Sequence, residues 1–326
     1  MRIDMGQRKL YIGVDLGGTN IKTGCFDSEM KLLASTSAPT QADLGPEFVA
    51  DKIAETISQV VKQCSASMSD VEGIGIGAPG PSDLKRGIIL AAPNLSKFRN
   101  VPLRKMIRER IGRPVILEND ANAAGYGEYV VGAGRGADDI VFVTLGTGIG
   151  SGIIANGQLV HGHGGNAGEL GHTIIEVDGR LCTCGQKGCV EAYASATQTV
   201  RRALEAIEAG RASSLSAIYR NKGDITAKDI YEQSAAGDGL AKEITEGTAK
   251  ALGVLCVNIL HITEPQKIVF AGGMIAAGDA LLSRIRHYFN QYIWSLKPES
   301  IEICFASLGE QAGMIGAAAL ARTISQ

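Results

Sequence analysis

The sequence predicts an α/β fold made of two related lobes, and three observations carry that reading. Stretches of strand character alternate with stretches of helical spacing along most of the chain. A strand, a glycine turn and a second strand occur twice, with Leu16-Gly17-Gly18-Thr19 matching Leu145-Gly146-Thr147-Gly148. Glycine is abundant, 42 of 326 residues, which suits tight turns and close backbone approaches.

The elements follow in order. Residues 1–8 read as a loose tail. KLYIGVDL (9–16) is an apolar strand that stops at an aspartate. GGTN turns the chain, IKTGCF is the second strand, and DSEM turns again. Residues 46–64 space Val49, Ile53, Ile57, Val60 and Val61 along one helix face. VEGIGIGAPG is a strand running into a Gly/Pro loop, and RPVILEND is a strand ending in a carboxylate before the helix ANAAGYGEYV. DIVFVTLGTGIGSGIIANGQLV (139–160) repeats the opening pattern. Long helical stretches are expected over about 192–220 and 238–262. The strand KIVFAGG, a helix, the strand SIEICFA and a terminal helix, GMIGAAALAR, complete the chain.

Composition narrows the partners. Hydrophobic residues make up 45%, ordinary for a globular protein. Lys plus Arg total 32 against 34 Asp plus Glu, so no basic surface is offered to nucleic acid or to an anionic membrane. The N-terminal MRIDMGQRKL lacks the apolar run of a signal peptide, and the apolar stretch around 251–262 is too short to span a bilayer. A cytoplasmic protein is expected. There, clustered cysteines signal metal or redox chemistry rather than disulfides.

CTCGQKGCVE (182–191) holds three of the seven cysteines. Cys25, Cys64, Cys256 and Cys304 stand alone in apolar contexts and read as small buried hydrophobes. Cys182, Cys184 and Cys189 offer three soft ligands, with Gly185 and Gly188 permitting the turns between them. Three thiolates and one histidine close a tetrahedral Zn²⁺ site, with His172 the first choice and His163 the second. A redox cluster is the other reading, although C-x-C with a distant third cysteine departs from C-x-x-C. Zinc on one ring nitrogen of His172 fixes a proton on the other, leaving it free to donate to a ligand hydroxyl. Glu169 and Glu191 bracket this loop and would be aimed at the same ligand. Otherwise they are solvated surface residues.

Two glycine turns are candidate phosphate contacts, and a third could pack against a nucleotide's base and ribose. Asp15, Gly17, Gly18, Thr19 and Asn20 form DLGGTN, where a strand-end carboxylate can hold Mg²⁺ and bare backbone N–H groups can approach phosphate. Such a turn also simply closes hairpins. No Walker GxxxxGK[ST] is present. Gly146, Thr147 and Gly148 form the second turn, and Gly272 and Gly273 end a strand where a nucleotide base could pack or where the chain merely enters a helix. Lys22 is a lone lysine with no assigned role. Glu118, Asn119 and Asp120 sit where a strand meets a helix. Helix capping accounts for such residues, but ligands of α/β folds bind at the carboxyl ends of strands, and Asp120 there could take a proton from an attacking hydroxyl.

With these residues in view, the chain resembles the ROK family of bacterial sugar kinases, within the actin/hexokinase-like ATPase superfamily. The carriers are DLGGTNIK, GIGAPGP, LENDANAAGYGE, VTLGTGIGSGII, HGHGGNAGELGH, CTCGQKGCVEAYAS and AGGMI, over about residues 10–322. The resemblance implies a two-lobed actin/hexokinase-like ATPase fold of duplicated ribonuclease-H-like domains with the site in the cleft. The small lobe would be 9–120 with the terminal helix 309–326 packed back on it, and the large lobe 121–308 would carry the zinc loop. It implies Asp120 as catalytic base, and Asn119, Glu169, His172 and Glu191 on the sugar hydroxyls. His172, Cys182, Cys184 and Cys189 would hold zinc, and the turns at 15–20 and 145–150 ATP and Mg²⁺. Asn94, in APNLSKFRNVPL, is a further sugar contact by the same resemblance. Glu310-Gln311 replaces a different polar pair of many relatives, with no consequence assigned. The implied activity is ATP-dependent phosphorylation of the 6-hydroxyl of glucose. Kinases for N-acetylglucosamine, N-acetylmannosamine, mannose, allose or fructose are the alternative. A sugar-responsive transcriptional regulator is more remote, because the first strand near Lys9 leaves no room before it for a helix-turn-helix. A homo-oligomer, dimer or tetramer, is the expected assembly.

Overall fold

The computed structural model of the protein describes residues 9–92, 94–294 and 301–324. The expected tail at 1–8 lies outside the described residues. The first half runs β1 (Leu10–Leu16), β2 (Asn20–Phe26), β3 (Leu32–Pro39), α1 (Pro46–Gln63) and β4 (Val71–Ala78). Three short strands follow, β5 (Ser82–Asp83), β6 (Ile88–Ala91) and β7 (Arg99–Val101), then α2 (Leu103–Ile111), β8 (Val115–Asn119) and α3 (Asp120–Val131). The second half runs β9 (Ile140–Leu145), β10 (Ile149–Ala155), β11 (Gln158–Leu159), α4 (Glu191–Ala194), α5 (Ala196–Glu208), α6 (Leu215–Lys222) and α7 (Ala227–Ala235). It ends with α8 (Gly239–Thr263), β12 (Lys267–Ala271), α9 (Asp279–Tyr292), β13 (Glu302–Phe305) and α10 (Ala312–Thr323).

Two five-stranded sheets carry the duplication. Their orders are β3-β2-β1-β4-β8 and β11-β10-β9-β12-β13. In each, the hairpin strands pair antiparallel, and the first hairpin strand lies parallel to the next strand of its sheet. The expected α/β fold of two related halves is thus found. β5, β6 and β7 form a third, small sheet.

Each sheet buries its own core. α1 starts after Gly45 with Pro46 in its first turn, where the missing N–H is no loss. Its face of Val49, Ile53, Ile57 and Val60 is fully buried with the strands of the first sheet. Each such side chain contributes roughly 1.5–3 kcal/mol of burial. α8 and α9 supply the core under the second sheet, with Leu252, Leu255 and Ile285 wholly buried. α10 packs on β1, β4 and α3, and α3 also contacts β9 and β10. These two helices therefore form a layer shared by the halves. Glycine makes the fit possible: a Cβ on Gly75 or Gly316 would run into the backbone carbonyl of Ala317 or Ala123.

The expected helical stretch over 192–220 is a correction. It is α4, α5 and α6, broken where Ser195 caps α5 and where Gly210, with φ +82°, ends its last turn. Cys25, Cys64 and Cys256 are buried and Cys304 is partly so, as isolated cysteines should be. No helix among the described residues is long and apolar enough to cross a membrane.

Candidate active site

A cleft of about 1070 Å³ collects the carboxyl ends of strands from both sheets. Asp15 ends β1, Asn119 ends β8, and Asp120 opens α3. All three line the cleft, as do Asn94, Glu169, His172 and Glu191. Gly146, Thr147, Gly148, Gly272 and Gly273 line it as well. Gly17, Gly18, Thr19 and Asn20 are not among the lining residues. Their turn is drawn sideways: the N–H of Thr40 donates to Thr19 O and its hydroxyl to Gly17 O. A Cβ on Gly18 would stand 2.9 Å from Asn94 Cβ. The first turn therefore backs the Asn94 segment, and it is Asp15 that faces the cleft.

At the head of α3, capping and cleft chemistry coexist. Asn119 is the N-cap: its Oδ1 accepts the N–H groups of Ala121 (2.9 Å) and Asn122 (3.1 Å). Its side-chain amide also hydrogen-bonds the Asp120 carboxyl. Asp120 Oδ1 accepts the Ala121 N–H at 2.8 Å. Protein surrounds this carboxyl on most sides while its outer face stays open to the cleft. That desolvation raises its pKa, against the pull of the Ala121 N–H. Asp15 is pushed up to about 6 by burial and by the neighbouring charge of Asp120, with Lys22 opposing. Two acids thus share one cleft, each holding protons more tightly than in water. Carboxylates so placed can accept a proton or bind a cation.

The opposite wall is built on the cysteine loop. Gly185 and Gly188 adopt φ of +90° and +80°, conformations that favour glycine. The candidate donor atoms of His172, Cys182, Cys184 and Cys189 all lie within 4.8 Å of one another. His163 is not in this group. Cys184 and Cys189 sulfurs are 3.7 Å apart, and Cys182 Sγ is 3.8 Å from His172 Nδ1. Around tetrahedral Zn²⁺ neighbouring sulfurs stand ~3.8 Å apart, so the spacing and the soft donor set fit that metal. Nδ1 faces the sulfurs, which leaves Nε2 as the ring nitrogen free for other partners.

Glu191 ties this loop to the second glycine turn. Its Oε2 accepts the Ile149 N–H at 2.8 Å and its Oε1 the Thr183 hydroxyl at 2.9 Å. A Cβ on Gly148 would come 2.5 Å from Oε2, so the turn must be glycine there for the carboxylate to sit in place. Glu169 is fixed through its neighbours: the Ser151 hydroxyl donates to Gly168 O and accepts the Leu170 N–H at 3.1 Å.

Several pairings between distant residues have no signal in the sequence. Buried Glu118 accepts from Asn122 Nδ2 (2.9 Å) and meets His161 Nε2 at 2.7 Å, and that hydrogen bond raises the His161 pKa. The pair ties the segment carrying Glu169 to the end of β8, just before Asp120, and 43 residues of separation hide it from any local motif. Lys22 and Glu310 both line the cleft and pair at 2.8 Å, giving the otherwise unassigned Glu310 a partner. The head of α10 closes the floor, where Gly313 leaves room for the Asp15 carboxylate.

Comparison with known proteins places this geometry. The glucokinase of Halalkalibacterium halodurans is 39% identical over 307 residues, covering 94% of this chain and 93% of the relative. That of Thermotoga maritima is 38% identical over 312 residues, 95% of this chain and 96% of the relative. The xylose repressor of Bacillus subtilis is 30% identical, covering 94% of this chain and 75% of its own. Among solved structures, a ROK family glucokinase from Streptomyces griseus in complex with glucose and AMPPNP superposes with a TM-score of 0.78 at 36% identity, covering 96% of this chain and 99% of that one. A ROK hexokinase from Thermus thermophilus gives a TM-score of 0.83 at 32% identity, covering 97% and 98%. The ROK family model matches residues 11–324, nearly the whole chain, and the protein belongs to the ROK family.

Proposed function

We propose that this protein is an ATP-dependent sugar kinase that phosphorylates the 6-hydroxyl of glucose. The observation that carries the reading is Asp120, a carboxyl of raised proton affinity in a cleft that Glu169, His172 and Glu191 also line. The relatives named glucokinase and the structural neighbour described with glucose and AMPPNP support it.

Asp120 accepts the proton of the sugar 6-hydroxyl as its oxygen bonds the γ-phosphorus. The bond from that phosphorus to the β,γ-bridging oxygen breaks, and ADP leaves. Glu169, Glu191, His172 Nε2, the Asn119 amide and Asn94 hold the other hydroxyls and fix which one reaches Asp120. Asp15 and the turns at Gly146–Gly148 and Gly272–Gly273 face the nucleotide, with Gly17, Gly18, Thr19 and Asn20 behind them. Asp15 would help hold Mg²⁺, which would supply neutralisation of phosphate charge. Zn²⁺ on His172, Cys182, Cys184 and Cys189 supplies a rigid anchor for the sugar-facing wall. The lobes that close on the cleft are 9–120 with helix α10 (Ala312–Thr323), and 121–308. Closure excludes water as a competing acceptor.

The test is ADP release by the purified protein with Mg-ATP and a panel of single sugars. Glucose giving the highest kcat/KM supports the proposal. Another hexose or an N-acetylhexosamine winning keeps the mechanism and moves the substrate. No release with any sugar overturns the kinase reading and favours a sugar-sensing role, as in the repressor relatives.

A further inference from the structure

A second cavity, of about 550 Å³, lies outside the cleft. Arg86, Arg104, Lys105, Arg108 and Arg113 line it, and no carboxylate does among the described residues. The chain as a whole carries slightly more acid than base, so five cations around one hollow depart from its own composition.

The bonding of these residues separates a built pocket from a solvated face. Arg104 donates to Leu84 O (3.2 Å) and Lys85 O (2.8 Å), and Arg113 donates to Met68 O at 2.6 Å. Backbone carbonyls fix both guanidinium groups without cancelling their charge. Arg86 reaches Asp83 only at 4.0 Å, and Lys105 reaches Glu109 at 3.7 Å with both side chains largely exposed. Such pairs neutralise little. Arg110, on the same helix α2, shows the opposite treatment: Glu47 (2.6 Å) and Asp51 (2.7 Å) on α1 both hold it. Two carboxylates at hydrogen-bond distance thus hold the arginine that faces α1, whereas backbone carbonyls hold Arg104 and Arg113 at the cavity.

We propose that this pocket binds a small anion carrying two or more phosphate groups. Arginines in fixed orientation suit phosphate oxygens, which accept paired N–H bonds from a planar guanidinium. The volume suits a small molecule rather than a polymer surface. The site is distinct from the cleft. Pro114 and Val115, at the start of β8, line the pocket, whereas Asn119 at its end lines the cleft, ~13 Å further along a five-residue strand. α10 repeats the arrangement, with Ile324 after its last turn at the pocket and Ala312 at the cleft.

The test is calorimetric titration of sodium tripolyphosphate into the full chain at low ionic strength, with and without saturating Mg-AMPPNP. The double variant Lys105→Glu/Arg108→Glu is titrated alongside, since neither side chain bonds the backbone framework. The expected result is one binding event that persists with AMPPNP, weakens as salt is added, and loses at least tenfold in affinity in the double variant. That variant should keep the wild-type melting temperature and ADP-release rate. Binding abolished by AMPPNP, or unchanged in the folded double variant, overturns the proposal. If AMPPNP itself fails to bind, the double variant alone still decides, so failure of the kinase reading is told apart.

Discussion

The two glycine hairpins share a sequence pattern and a place in matching sheets, yet they do different things. Leu16 pairs with Ile21 across the first turn, and Leu145 with Ile149 across the second, so the second turn is one residue shorter. Asp15 and Thr144 stand at equivalent points just before these leucines, and both line the cleft. Only the first is charged. The first turn is stitched to Thr40 and backs Asn94, while the second is pressed against Glu191. Duplication supplied the scaffold twice. Charge, turn length and packing partner then divided the labour.

Removing charge on the Asp15 side of the cleft should have the largest effect. Asp120→Asn is expected to lower kcat by ~10²-fold or more while sugar binding persists. Near-normal turnover would break the assignment. On the opposite wall, Cys184→Ser should lose zinc, measured by metal analysis, and lower Tm by roughly 5 °C or more. A fully stable, active and zinc-free variant would show that the loop needs no metal.

A matched pair sharpens the hairpin comparison directly. Gly148→Ala pushes a methyl group toward Glu191 and should raise KM for the sugar about tenfold, some 1.4 kcal/mol. Gly18→Ala meets Asn94 instead and should cost less. Equal losses would mean that both turns serve the site alike.

The strand-end acid gives a smaller, pH-dependent effect. Asp15 has a folded pKa of about 6 against 3.8 unfolded, so between these values the folded protein holds the extra proton. Its contribution to stability therefore falls as pH rises through that window. Asp15→Asn should flatten the pH dependence of the urea midpoint from 4 to 7 and raise that midpoint at pH 7. An unchanged profile would show that the carboxyl is not desolvated. Glu310→Ala should do least, leaving Tm unchanged, because Glu310 is 89% exposed in its pair with Lys22.

What is legible in the sequence follows the strength of local pattern. The hairpins are readable because their strands are nearly continuous buried apolar runs and glycine marks the turn. The cysteine loop is readable because three thiols within eight residues of a protein without disulfides converge on a metal far more often than they pack as apolar filler. β3 escapes notice because LLASTSAP is a half-exposed edge strand with few large apolar residues. α2 escapes because LRKMIRERI hides a three-residue apolar face among charges. The Glu118–His161 tie and the basic pocket are tertiary objects, whose members come from distant segments with no local signature. Asn119 teaches a different lesson: capping and cleft-lining look like rival roles along the chain, and one side chain does both.

The placement of α10 also bears on how the molecule is made. Arg322 bonds Ser28 O across 294 residues of chain, and Gly13 of β1 with Gly73 and Gly75 of β4 lie against this helix. During synthesis the earliest strands can pair with each other but cannot cover that face until nearly everything else has left the ribosome. The cleft-lining acid, Asp15, sits at the same seam, against Gly313 of this helix. A nascent chain therefore waits with its oldest sheet half-dressed, and any early stop in translation leaves a product whose exposed face invites chaperones and proteases.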